Sequence, residues 1–157
     1  MSSAKTGADT KRNASANKEI NTFLDESFNE LFALLQENYN LSTLSIESNY
    51  RHIYEKVNKR VQYFDQIQKN FSRFFSSVIN QIDEKEESKK MIIFINEFEY
   101  LYQVHDSLKD ILQIKENMDE MYIELHTDMI LHYREISSKT LLIFDLLRKR
   151  LTHEDID

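Results

Sequence analysis

The chain contains one glycine, Gly7, and no proline. Average usage is roughly 7% Gly and 5% Pro, so the residues that make tight turns are nearly missing. Two-residue hairpins need positive φ, which glycine supplies, and sandwiched or closed sheets need many such turns. Sheet architectures are thereby excluded, leaving helices joined by few connections. The 157 residues suit one domain, and 41% hydrophobic residues, among them 10 Phe and 8 Tyr, can fill its core.

Charge and cysteine usage narrow the function classes. Twenty basic against 27 acidic residues, net −7, argue against nucleic acid as a partner, because that affinity rests on cations meeting phosphates. Cysteine is absent, which removes disulfides, thiolate zinc sites and thiol catalysis and fits a reducing compartment. No run of about 18 apolar residues offers a membrane span, and no signal-peptide pattern opens the chain.

Residues 1–18 carry the only glycine and no large apolar residue after Met1, with a net charge of +3 against −10 for the rest. They read as a flexible polar tail or linker. Residues 19–151 read as the bundle and 152–157 as a frayed acidic C-terminus. Leu24, Phe28, Leu31 and Leu35 share one face of a first helix, and Gln36–Asn40 break it, with Asn as the available left-handed residue. Tyr50, Tyr54, Val57, Val61, Phe64, Gln68, Phe71, Phe75, Val78 and Ile82 then alternate at spacings of four and three. From a lead-in near Ser42, that second helix runs about 40 residues, or ~60 Å. Asp83 and Glu86 have capping-box spacing. A third helix over about 86–115 carries Phe94, Phe98, Leu101, His105, Leu108 and Leu112, and Asn117 closes it. The fourth, about 118–151, carries Met118, Tyr122, Leu125, Met129, Ile136, Ile143 and Leu147 and ends on basic Arg148, Lys149 and Arg150. The expected fold is all-α, an up-down antiparallel bundle of three long helices plus a shorter N-terminal helix.

Catalytic patterns are missing. No Glu has His three residues later, as a di-iron bundle needs, and one glycine builds neither a P-loop nor a dinucleotide-binding loop. The chain is therefore expected not to be an enzyme and to carry no catalytic or cofactor-binding residues. Asp106 and Asp110 sit four apart on the third helix, as do Glu124 and Asp128 on the fourth. At ~100° per residue these four point away from the apolar seams. The functional reading is a surface site for a divalent metal; the plain reading is a solvated charged face. His105 falls on an apolar seam, where a hydrogen-bonded core histidine is the ordinary outcome. Leu131, Leu142 and Leu146 lie opposite the fourth helix's seam. They form either a packing surface for the first helix or a strip for a protein partner or a second copy.

The segment Phe98-Glu99-Tyr100-Leu101-Tyr102-Gln103-Val104-His105-Asp106-Ser107-Leu108-Lys109-Asp110-Ile111 resembles the signature helix of PhoU-like domains, which typically reads Asn-Asp-Leu-Glu-Arg-Ile-Gly-Asp-His-Ala-x-Asn-Ile. Leu101, Val104, Asp106 and Ile111 match in kind and register. The stretch Phe74-Phe75-Ser76-Ser77-Val78-Ile79, the acidic turn Asp83 to Ser88 and the later Glu124-Leu125-His126 are similar too. The first acid of the family motif falls on Tyr102 and its glycine on His105; Asp106-x-x-x-Asp110 and Glu124-x-x-x-Asp128 would supply a shifted version. The nearest likeness is to the cytoplasmic C-terminal PhoU-like domain of sodium/phosphate cotransporter family proteins.

The resemblance implies a non-enzymatic regulatory domain in phosphate transport. It would act in the cytoplasm at the inner face of the membrane, docked on a transporter or on its own membrane region, and be able to form a homodimer. The alternative is a helical scaffold or adaptor unrelated to phosphate.

Overall fold

The computed structural model describes residues 3–48, 51–79 and 85–151, with side chains from Lys18 to Arg150 except Glu19 and residues 85–87. They form α1 (Ser3–Glu47), α2 (Arg51–Val78), α3 (Lys85–Glu120) and α4 (Thr127–Leu151), with no strand among the described residues. Tyr50, Ile82, Asp83 of the expected capping box and the acidic end 152–157 lie outside the described residues.

The N-terminal helix is not the short one. At 45 residues it is the longest, taking in the polar lead from Ser3 and running through Gln36–Asn40 without a break. Tertiary partners hold that polar stretch helical. Gln36 Nε2 donates to Asp145 Oδ1 of α4 at 2.6 Å. Arg60 of α2 donates through Nε to Asn38 Oδ1 at 2.8 Å and pairs with Glu37. Asn38 is fully buried, so its amide serves packing between helices rather than a helix end.

The next turn of α1 is small and polar. Ser42, Thr43 and Ser45 were expected to lead into the second helix but are buried in α1. Their hydroxyls bond back to the carbonyls of Asn38, Tyr39 and Ser42 at 2.8, 3.1 and 2.7 Å, the usual way such residues are satisfied inside a helix. The α2 helix consequently begins at Arg51 and spans 28 residues.

Side-chain pairs set the directions. Phe23 meets Phe74 and Asn38 meets Arg60, so α1 and α2 are antiparallel. Phe64 packs on Tyr102 and Phe75 on Phe98, which makes α3 antiparallel to α2. Phe32 meets Phe144 while Glu47 reaches Arg134, so α4 runs opposite to α1. The up-down order is as expected. The arrangement is not a closed square: α2, α3 and α4 all pack on α1, α2 packs on α3, and α4 has no comparable contact with either α2 or α3.

The expected seams of the first three helices form the core. Leu24, Phe28, Leu31 and Leu35 of α1, Phe64 and Phe75 of α2, and Phe98, Leu101 and Leu108 of α3 are buried together. Phe98 touches the rings of Phe28, Phe71, Phe75, Phe94 and Tyr102. Edge-to-face and tilted pairs of this kind add roughly 0.5–1.5 kcal/mol each beyond area burial. A smaller cluster of Val57, Val61 and Leu112 closes the other end.

The seam expected for α4 does not do this. Tyr122, Met129, Ile136, Ile143 and Leu147 are all exposed, and Phe144 and Ser137 face α1 instead. The helix also starts nine residues later than expected, since 118–120 belong to α3 and α4 opens at Thr127. The connection is built on Tyr122, at φ 54° the one non-glycine residue in the left-handed region among those described. Ile123 N–H donates to Met118 O at 2.8 Å and Tyr122 N–H to Asp119 O at 3.2 Å. These two bonds make a Schellman motif with tyrosine at the C′ position that glycine usually holds. Asn117, expected to make this turn, stays inside α3.

Candidate functional site

Because α3 and α4 stand apart on α1, a groove of about 800 Å³ opens between them. Phe28, Phe32, Leu35 and Tyr39 of α1 form its floor. Tyr100, Val104 and Ile111 of α3 make one wall, and Ile143 and Leu147 of α4 the other. Tyr100 and Val104 lie in the stretch singled out from the sequence, yet neither was read as a site residue. The signal was there: Ile93, Tyr100, Val104, Ile111 and Ile114 form a second apolar stripe on α3, beside the buried one.

The α4 helix is apolar on more sides than it can bury. Phe144 packs toward α1, while Ile143 and Leu147 line the groove, and exposed Met129 and Ile136 share the Ile143 face of the helix by their seven-residue spacing. Leu131, Leu142 and Leu146, the strip singled out from the sequence, are exposed on another side. Leu142 and Ile143, adjacent in sequence, are 57% and 56% exposed. The packing alternative for the strip, against the first helix, is not what forms: α1 takes the Phe144 side instead.

Asp106, Asp110, Glu124 and Asp128 are exposed, as their spacing implied. Asp106 accepts from Lys109 Nζ at 3.1 Å. Asp128 lies 3.6 Å from His126 Nδ1 and sits in the first turn of α4, where a carboxylate meets the positive end of the helix dipole. Among the described residues no group of three or more His, Cys, Asp or Glu side chains lies close enough to hold a metal.

A polar centre between α2 and α3 escaped the sequence reading except for His105. Its ring is fully buried and stacks on Phe64 at 4.3 Å. Nε2 meets Asp65 Oδ1 at 2.9 Å, and Lys109 Nζ donates to the same oxygen at 3.0 Å. Burial pushes the imidazole below its ordinary value against the opposing pull of Asp65. Burial alone would raise the Asp65 carboxyl, but the bonds from Lys109 and His105 hold it below its ordinary value. Lys109 is raised, chiefly by its bond to Asp65. With the carboxylate charged and the ring neutral, Nε2 carries the proton. Nδ1 then holds a lone pair that is buried without a partner. The group acts as a clamp across α2 and α3.

No family model, no curated protein and no solved structure matches the chain.

Proposed function

We propose that this chain is a non-catalytic helical docking module whose working surface is the α4 side of the bundle. One observation carries the reading: α4 is apolar on several sides and has α1 as its main packing partner, beside a groove floored by aromatic and aliphatic side chains. A helix that is apolar around most of its circumference is normally enclosed. Exposed apolar patches of this extent mark interaction surfaces. The groove suits a helix laid along it, because its α3 wall repeats at heptad-like spacing. The strip Leu131, Leu142 and Leu146 is the second surface, suited to a protein partner.

The partner's context comes from the PhoU-like resemblance of residues 98–111, which directs the module to phosphate transport at the inner face of a membrane. The reading is tested by placing a photo-crosslinking residue at Val104 and at Leu142 in cells and measuring phosphate uptake alongside. Discrete adducts are expected at both positions, together with altered uptake when Leu142 and Leu146 become Glu. Adducts without any effect on uptake would leave a helical adaptor unrelated to phosphate, and no adduct at either position removes docking altogether.

A further inference from the structure

We propose that the groove between α3 and α4 receives α4 of a second copy of this chain, in a two-fold symmetric dimer with antiparallel α4 helices. The proposal rests on reading the groove as a helix-docking surface, and it names the occupant. A closed two-fold contact needs a surface that is complementary to itself. The α4 helix meets that condition, being one wall of the groove and also a helix with an uncovered apolar stripe along the same side. Met129, Ile136 and Ile143 recur every seven residues, the spacing that lets a helix seat its side chains between those of its neighbours. A two-fold axis at Lys139–Thr140 sets Ile136 against Ile143 of the second copy.

Charge selects the same orientation. The first turn of α4 holds Asp128, preceded by Glu124 in the connection, whereas its last turn holds Arg148, Lys149 and Arg150. Antiparallel α4 helices bring the basic end of each over the acidic end of the other. The second copy's α4 then runs parallel to α3, which places its basic turn beside the C-terminal part of α3 with exposed Glu116 and Glu120. A parallel pair would stack basic on basic and acidic on acidic. Opposed charges of this kind fix orientation and register more than they add affinity.

Sedimentation equilibrium of the full chain, from low to high micromolar, tests the proposal. The mass is expected to approach twice 18.9 kDa. Ile143→Glu is expected to weaken the dimer by roughly 100-fold, as a central apolar contact does, while the neighbouring Leu142→Glu leaves it intact. Arg150→Glu weakens it by about tenfold, and adding Asp128→Lys to the same chain recovers the loss. Both leucine and isoleucine are exposed, so circular dichroism should show unchanged helix content. A wild-type chain that stays monomeric throughout, a dimer that survives Ile143→Glu, or one broken by Leu142→Glu instead, overturns it. A monomer whose Val104 crosslinks to a different protein in cells removes the second copy as occupant while leaving the docking reading standing.

Discussion

His105 Nε2 lies 2.9 Å from Asp65 Oδ1, joining α3 to α2 through a ring that solvent does not reach. The same carboxylate oxygen accepts from Lys109, so one exposed edge of Asp65 anchors two side chains of α3. Phe64 stacks on the His105 ring, and the cost of breaking the pair falls on the imidazole, which is fully buried.

The pair makes stability depend on pH. Burial holds His105 below its ordinary value near 6.5, so the unfolded chain takes up that proton at a higher pH than the folded one. Stability is therefore full above about pH 6.5 and falls as the pH drops from there. Asp65, held low by Lys109 and His105, adds a second loss below about pH 4. Urea unfolding at a series of pH values should show both, and His105→Gln should flatten the first while keeping the second.

Removing the carboxylate leaves the buried His105 Nε2 without its acceptor, while Lys109 keeps Asp106. Asp65→Ala is expected to destabilise the fold by about 1–2 kcal/mol, in the range for hydrogen bonds to charged groups and discounted because Asp65 is partly exposed. The loss should be read from the urea midpoint at an unchanged slope. An Asp65→Ala chain as stable as wild type would mean the clamp contributes nothing.

Phe98 is the centre of the aromatic core. Phe98→Ala should cost about 3–5 kcal/mol, because five rings around it lose their contact at once and cannot all collapse inward. Tyr63→Ala on the solvent side of α2, where Tyr63 is 60% exposed, should stay within about 0.5 kcal/mol. Thermal unfolding of the two variants provides the comparison.

The turn after α3 carries strain that glycine would relieve. Tyr122 sits at φ 54° with its side chain 93% exposed, so its Cβ opposes the left-handed backbone and its ring gains little from packing. Tyr122→Gly should raise stability by about 1 kcal/mol. A drop in melting temperature would show that the tyrosine ring matters more than the backbone.

The four surface carboxylates lie exposed, and among the described residues they belong to no cluster of three metal-binding side chains. Calorimetric titration with magnesium, manganese, iron(II) and zinc is expected to give no saturable heat. A saturable isotherm that vanishes with Asp106→Asn and Asp128→Asn would restore the metal reading.

Much of the fold was legible in the residues. The described apolar members of the 4-3 seams of the first three helices form the core or pack against it, and His105 is buried there as its seam position implies. The candidate site was legible only in part. Leu131, Leu142 and Leu146 were identified as unusual, but Tyr100, Val104 and Ile111 across the groove were not, since their stripe lies next to a stronger one on α3. The expected helix ends failed where polar residues had distant partners. Gln36, Glu37 and Asn38 look like a break until Asp145 and Arg60 are brought against them.

The sequence by itself determined that this protein is helical, where three apolar seams run, and that α4 has more apolar surface than one neighbour can cover. Periodicity and the lack of Gly and Pro are local properties, and they act wherever the chain goes. Only the tertiary structure decided that α1 continues to Glu47, that α4 turns Phe144 rather than Ile143 toward α1, and that Tyr122 takes the left-handed turn. A stripe of apolar side chains records that something must cover it. Which helix does so depends on residues far away in the chain, and on α4 it left a groove.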